Sequence, residues 1–255
     1  MNKLKKSVLL IIQGKDFIDK LTLTKYFIKG IISKLTKTKI DPNLAHEVTI
    51  KNHDGIFYCG NHINSVWVAS TIHESNIRKY FSLSKGIFVD IGANIGKYTI
   101  KIAKQLGNEG QAISIEPEPS NFQILKKNIE LNNLKNVHAL NLACSSKEGF
   151  IDFYINKSGT GAHSLIKKTK NKISVKSSKL DNVLLTLNLP KADLIKIDVE
   201  GAEIEVLKGA KKTLKKHPKL IIEIEDSSNL KNVRNFLERF GYKLTKISEE
   251  EYFAE

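Results

Sequence analysis

From residue 86 onward, short apolar runs alternate with longer segments in which apolar residues recur every three or four positions. The runs GIFVDIG, QAISIEP, VHALNLA, DLIKIDVEG and KLIIEIED read as buried strands, and FIDFYI is strand-like. Helical spacing fills the intervals: one helix runs to Gln105, and others cover residues 120–132, 202–216 and 229–240. A last short strand, GYKLTKI, follows a helix and a glycine, as where a sheet is finished by a strand added at its edge. Strict alternation of this kind predicts an α/β fold with a doubly wound, mostly parallel sheet and short connections.

The first 85 residues follow a different pattern, so the chain divides into an N-terminal extension, 1–85, and a sheet domain, 86–255. Phe17, Ile18, Leu21, Ile28, Ile31, Ile32 and Leu35 recur at near-helical spacing with Lys20, Lys25, Lys29 and Lys34 between them. This predicts one or two amphipathic helices whose apolar stripe closes a core face of the protein rather than lying on a membrane. Asp41-Pro42 breaks the pattern. Alternation in IFYCG and SVWVAS, either side of Asn61-His62, predicts a small hairpin leading into a helix over residues 74–80. His53, His62 and His73 fall here at no metal-binding spacing and read as surface or turn histidines.

Composition narrows the class. The 255 residues are 41% apolar, enough for a sizeable core. Cys59 and Cys144 stand alone, with neither a disulfide framework nor zinc-ligand spacing, so no metal site is expected and a reducing, cytoplasmic setting is. The apolar run at residues 8–12 is too short to span a bilayer and lacks a cleavage signal, so neither export nor a transmembrane anchor is expected. The net charge of +14 permits nucleic acid or anionic lipid as a partner. Lysines scattered over every predicted helix instead describe a generally basic, solvated surface.

Candidate chemistry gathers at strand ends. In FVDIGANIGKYTI the strand ends in Gly92, a second glycine follows at Gly96, and a helix begins. Such a turn lies at the carboxyl edge of an open sheet, where backbone N–H groups face a ligand. No glycine stands between Gly92 and Gly96, so the turn lacks the pattern that admits a pyrophosphate. The second strand ends in Glu116, placed to accept both hydroxyls of a ribose, while Asp90 can hold an ammonium group. Adenosine with an amino-acid tail fits better than NAD, and that describes S-adenosylmethionine.

FVDIGANIGKYT, IEPEPSNFQILKKNIELNN, LNLACSSKEGFIDFY and LIKIDVEGAEIEVLKGA, in this order, resemble the FkbM-type family of class I S-adenosylmethionine-dependent methyltransferases. The likeness covers residues 86–225, with DVEGAE its most specific segment. It implies a seven-stranded Rossmann-like sheet and methyl transfer to oxygen on a sugar, glycan or small natural product. Asp90, Gly92, Ala93, Asn94, Gly96 and Glu116 would bind the cofactor, with Ala143 contributing backbone contacts near the adenine. Ser178-Lys179-Leu180-Asp181 departs from the family's Thr-Leu-Asp.

IKIDVEGAE is the second focus: Asp198 and Glu200 share one face of a strand at period two, just before the turn at Gly201. A carboxylate there can take a proton from an acceptor hydroxyl or orient the methionine moiety, so both are candidate catalytic residues and Asp198 also a cofactor ligand. Glu203 faces the start of the next helix. The glycine-punctuated loop SGTGAHSL can border the acceptor pocket, with His163 as a further candidate base. Glu223 points to the ligand edge or into a structural pair. RNA methylation and non-catalytic nucleoside binding are the alternative functions. No amino-methylating motif and no RNA-binding module accompanies the fold, and nucleic acid is not the expected partner.

Overall fold

The computed structural model describes residues 2–155 and 171–255. The N-terminal elements are α1 (Lys3–Gln13), α2 (Phe17–Thr36), β1 (Thr49–Lys51), β2 (Ile56–Tyr58) and α3 (Ile63–Ala69). Then come β3 (Gly86–Ile91), α4 (Lys97–Leu106), β4 (Gly110–Ile115), α5 (Pro119–Leu131), β5 (Val137–Leu140), β6 (Ala143–Cys144) and β7 (Gly149–Tyr154). The remainder is β8 (Lys172–Ser178), α6 (Leu180–Thr186), β9 (Leu194–Ile197), α7 (Glu203–Lys208), α8 (Lys211–Leu214), β10 (Lys219–Glu223), α9 (Ser227–Glu238), β11 (Leu244–Lys246) and β12 (Glu251–Ala254).

Seven strands form the main sheet in the order β11-β12-β10-β9-β3-β4-β5. β3, β4, β5, β9 and β10 are parallel, while β12 pairs antiparallel with both β10 and β11. The expected class I sheet is therefore present, with helices on both faces. The chain winds outward from β3 through β4 to β5, then returns to place β9 on the other side of β3. That reversal opens a crevice at the carboxyl ends of β3 and β9, where open α/β sheets bind ligands.

Several expected elements differ. VHALNLA is divided: β5 stops at Leu140, and β6 joins β8 and β7 in a separate sheet of order β6-β8-β7. The helix expected over 202–216 breaks into α7 and α8 at Gly209, where a Cβ would stand 2.2 Å from the Ser145 carbonyl oxygen. The edge strand GYKLTKI is β11, but the short strand β12 slots between it and β10. SVWVAS lies not on a strand but on α3, started by the His62 ring accepting from the Asn64 N–H; β2 pairs instead with β1. A short run of β-branched and aromatic residues has no periodicity that separates buried helix from strand. Of the helix expected over 74–80, only a single turn at Arg78–Tyr80 forms.

Two asparagines one helical turn apart, Asn128 on α5 and Asn132 just past its end, fasten the N-terminal hairpin. Asn132 accepts from the Ile56 N–H (3.0 Å) and donates to the Ile56 carbonyl (2.7 Å). Asn128 does the same at Tyr58 (2.7 and 3.2 Å) and donates to the Ile95 carbonyl (2.8 Å). The amides thus supply the edge of β2 with the partners that a further strand would give. Beneath them Phe57 and Val66 pack with Ile95 and Ile100 in one core cluster.

The expectation that α2 closes a core face is not met. Asp19, Thr22 and Leu23 are its buried residues, while Phe17, Ile18, Leu21, Ile28, Ile31, Ile32 and Leu35 are exposed. The helix docks through the side opposite its apolar stripe. Asp16 and Asp19 form a reciprocal cap, and Asp19 also accepts from the Thr49 N–H (3.0 Å). That cap and its link to β1 fix which side faces inward.

Candidate active site

Two cavities meet at the carboxyl ends of β3 and β9. The first, about 560 Å³ including its open mouth, has Gly92 and Asn94 on one wall and Ile115, Glu116 and Pro117 on another. Ala143, Cys144 and Phe153 add apolar surface, and Asp198, Val199 and Glu200 close it. The second, about 690 Å³, is lined by His73, Glu74, Lys97, Tyr98, Lys196 and Glu223, among others. Gly92, Asn94, Asp198 and Glu200 line both.

The junction requires glycine at position 92. Its φ is +79°, and a Cβ would lie 1.7 Å from the Asp198 carbonyl oxygen, so the two strand ends touch backbone to backbone. Asn94 follows in a left-handed conformation (φ 51°), and its N–H donates to Glu116 Oε2 at 2.8 Å. The other carboxyl oxygen of Glu116 accepts from the Glu118 N–H at 2.9 Å. Burial raises the Glu116 pKa from 4.5 to about 7, against the pull of these two N–H donors and with the help of the Glu118 and Asp198 charges.

Asp90 is buried and lines neither cavity. Its Oδ2 accepts from the Thr99 hydroxyl at 2.6 Å, and Thr99 also bonds Ser114 at 2.8 Å. Among the described residues, Oδ1 is a buried oxygen without a hydrogen-bond partner. Burial raises this carboxyl's pKa, Lys196 and Thr99 opposing. Gly96 also lies outside both cavities: a Cβ there would meet Leu125 Cδ1 at 2.6 Å, so this glycine serves the approach of α4 to α5.

The second cavity is a network of charges. Lys196 Nζ pairs with Asp198 Oδ2 at 2.7 Å. Burial opposes the charge of Lys196, but Asp198, Asp90, Glu74 and Glu223 together outweigh it and raise its pKa. Lys97 Nζ reaches Glu74 Oε2 (2.9 Å) and the His73 carbonyl (2.7 Å), and the Tyr98 hydroxyl donates to the same Glu74 oxygen (2.8 Å). Burial works against the Glu74 carboxylate, yet His73, Lys97 and Lys196 hold it well below the usual range. Glu223 is the opposite case: the Asp198 charge, then burial, push its pKa up to about 10.

Asp198 and Glu200 both reach the junction, though not as alternate residues of a strand. β9 ends at Ile197; the Asp198 N–H still donates to the Ile91 carbonyl (3.0 Å), and Glu200 turns away at φ 52°. Glu203 is buried outside both cavities, where its carboxylate accepts from the Gly201 N–H (2.7 Å) and binds the Asn229 amide. Lys179 and Asp181 also stand apart; Asp181 accepts from the N–H groups of Lys212 and Thr213 at the start of α8. His163 and the SGTGAHSL loop lie outside the described residues. Among those described, no group of three or more His, Cys, Asp or Glu side chains is arranged to hold a metal ion.

A family model, the methyltransferase FkbM domain, matches residues 90–244. The chain belongs to the FkbM methyltransferase family. Its cofactor is S-adenosylmethionine, and the first cavity carries groups whose chemistry suits that molecule: a glycine turn, a buried carboxyl and apolar side chains. Among similar proteins, the hexuronic acid methyltransferase AglP of Haloferax volcanii is 29% identical over 65% of this chain and 67% of its own. Methyltransferase sdnD of Sordaria araneosa is 27% identical over 64% of this chain and 76% of its own. The 2-O-methyltransferase NoeI of Sinorhizobium fredii is 29% identical over 55% and 63%.

In this FkbM member, Gly92, Asn94, Glu116, Ala143, Asp198 and Glu200 come together at the first cavity, and Ala93 lines the second. Sequence reasoning missed Cys144, Phe153 and Val199 in the first, and Lys97, Tyr98 and Lys196 in the second. His73, read as a surface or turn histidine, lines the second cavity instead, beside Glu74 and Lys97. Lys196 carried a signal: a lysine inside the apolar run LIKI is costly to bury without a carboxylate beside it.

Proposed function

We propose that this methyltransferase transfers the methyl group of S-adenosylmethionine to a hydroxyl of a sugar or glycan. The observation that carries the reading is the pair of cavities joined at Gly92, Asn94, Asp198 and Glu200, one walled for a nucleoside and the other by hydrogen-bonding side chains. The names of two relatives, a hexuronic acid methyltransferase and a 2-O-methyltransferase, point the same way. Bound in the first cavity, the cofactor supplies an electrophilic methyl on a sulfonium.

The protein's own groups do the rest. Glu116 accepts from the ribose hydroxyls, and Gly92, Ala93 and Asn94 give a close backbone wall to the methionine portion. Holding an acceptor hydroxyl in line with the methyl lowers the barrier by an amount that reaches about 7–11 kcal/mol at the ideal limit. Asp198, fixed by Lys196, accepts the proton that the hydroxyl loses, with Glu200 beside it. Residues 1–85 contribute Val68, His73 and Glu74 to the acceptor side and shape what enters. Carboxylates of Glu74 and Asp198 pair with the ammonium groups of Lys97 and Lys196 there, and this hydrogen-bonding wall suits hydroxyl groups.

The test is transfer of labelled methyl from the cofactor to sugars with a free hydroxyl and to the matching deoxy sugars. Label on the hydroxylated series alone supports the reading; label on RNA, or on sugar amines, overturns it. Asp198→Asn should lower the transfer rate by about 10²-fold while S-adenosylhomocysteine affinity holds. A parallel loss of affinity would assign Asp198 to the methionine portion instead.

A further inference from the structure

The stripe on α2 remains without a partner. Phe17, Leu21, Ile28, Ile31 and Leu35 follow one another along a single side of the helix, exposed by 39% at Leu21 up to 81% at Leu35, with Ile18 and Ile32 on its edge. On a 3.6-residue wheel this side lies opposite Asp19, Leu23 and Tyr26, through which the helix docks. On α1, Leu4, Val8 and Ile12, spaced by four, are exposed as well. These two helices hold most of the exposed large apolar side chains of the described residues; only Phe150 and Leu185 lie elsewhere. An apolar face so concentrated marks a contact surface.

Charge decides what covers it. Lys20 and Lys34 run along one flank of the α2 stripe and Lys25 and Lys29 along the other, all exposed and none in an ion pair among the described residues. The single acid of this helix, Asp19, is buried on the docked side. A second copy of the helix would set lysine against lysine on both flanks in either orientation, a repulsive arrangement. A phosphate backbone would satisfy the lysines but not the isoleucines. An anionic bilayer surface satisfies both, because headgroups meet the flanks while the stripe enters the acyl boundary. No described helix is long and apolar enough to cross a membrane, so the geometry is that of a helix lying in the plane.

We propose that the α1–α2 pair docks the enzyme on an anionic lipid surface through this stripe. The inference is independent of the acceptor assigned above. Flotation of the full chain with phosphatidylcholine vesicles, with and without phosphatidylglycerol, at low and high salt, tests it. The protein should float with anionic vesicles and be released by salt. Lys25→Glu with Lys29→Glu should lower partitioning by about 10-fold or more, and Ile28→Ser with Ile31→Ser and Leu35→Ser by on the order of 10²-fold. The charge-reversed variant should keep the wild-type Tm, because Lys25 and Lys29 are exposed and in no ion pair among the described residues. Absence of flotation, or flotation indifferent to headgroup charge, overturns the proposal. So does a serine variant that turns a wild-type dimer into a monomer, because that shows protein covering the face.

Discussion

Replacing Glu116 with glutamine separates two consequences of burying a carboxyl at the end of β4. In the folded protein this group titrates at about 7 instead of 4.5. Below the lower value the folded and unfolded chains both carry the proton; between the two the unfolded chain ionises and the folded one does not; above the higher both are ionised. Stability therefore falls as pH rises across that interval, at about 1.36 kcal/mol per pH unit, and the loss of about 3 kcal/mol is complete above pH 7. Glu116→Gln lacks this loss but turns an NH₂ toward the N–H of either Asn94 or Glu118, which costs about 1–3 kcal/mol at every pH. The difference between the two proteins should move by about 3 kcal/mol in favour of the variant from about pH 4 to about pH 8. Denaturant unfolding followed by circular dichroism measures it, and the other raised carboxyls, Glu223 among them, cancel because both proteins have them. Ribose hydroxyls donate to the ionised form, so wild-type affinity for S-adenosylhomocysteine should climb up to about tenfold per pH unit below 7 and level off above, while the variant stays weak and flat. Parallel stability curves together with a pH-independent wild-type affinity would refute the placement of Glu116 in the cofactor site.

Gly92→Ala should fail to fold or lose cofactor binding outright, since the added methyl meets the Asp198 carbonyl at 1.7 Å in a backbone conformation of φ +79°; a soluble variant with unchanged thermal shift by S-adenosylhomocysteine would contradict the contact. Arg78→Leu removes the bidentate partner of buried Asp54, both bonds being 2.7 Å, and should destabilise the N-terminal elements by about 3–5 kcal/mol, measured by denaturant titration, with Asp54→Asn in the same background recovering part of the loss. S-adenosylhomocysteine should raise the Tm while NAD does not, because the turn between Gly92 and Gly96 has no middle glycine to admit a pyrophosphate; equal shifts would remove that argument.

Periodicity along the chain determined the parallel part of the main sheet, because alternating buried strands and amphipathic helices favour short-looped parallel pairing, and the strand-end positions of Gly92 and Glu116 follow from it. The first cavity was legible for that reason: Gly92 and Glu116 line it from the ends of consecutive strands. The second cavity was not, because His73, Glu74, Lys97 and Lys196 come from distant parts of the chain and meet only when the N-terminal elements fold over α4 and α5. Glycines show the same division. Gly92 and Gly96 look alike in sequence, yet one lets two strand ends touch at the cavity and the other lets two helices pack behind it. The α2 stripe is the sharpest case: spacing predicts an amphipathic helix but not which side turns inward. The cap of Asp16 and Asp19 and its bond to Thr49 hold inward the side that carries Asp19, Leu23 and Tyr26, and the stripe from Phe17 to Leu35 stays exposed.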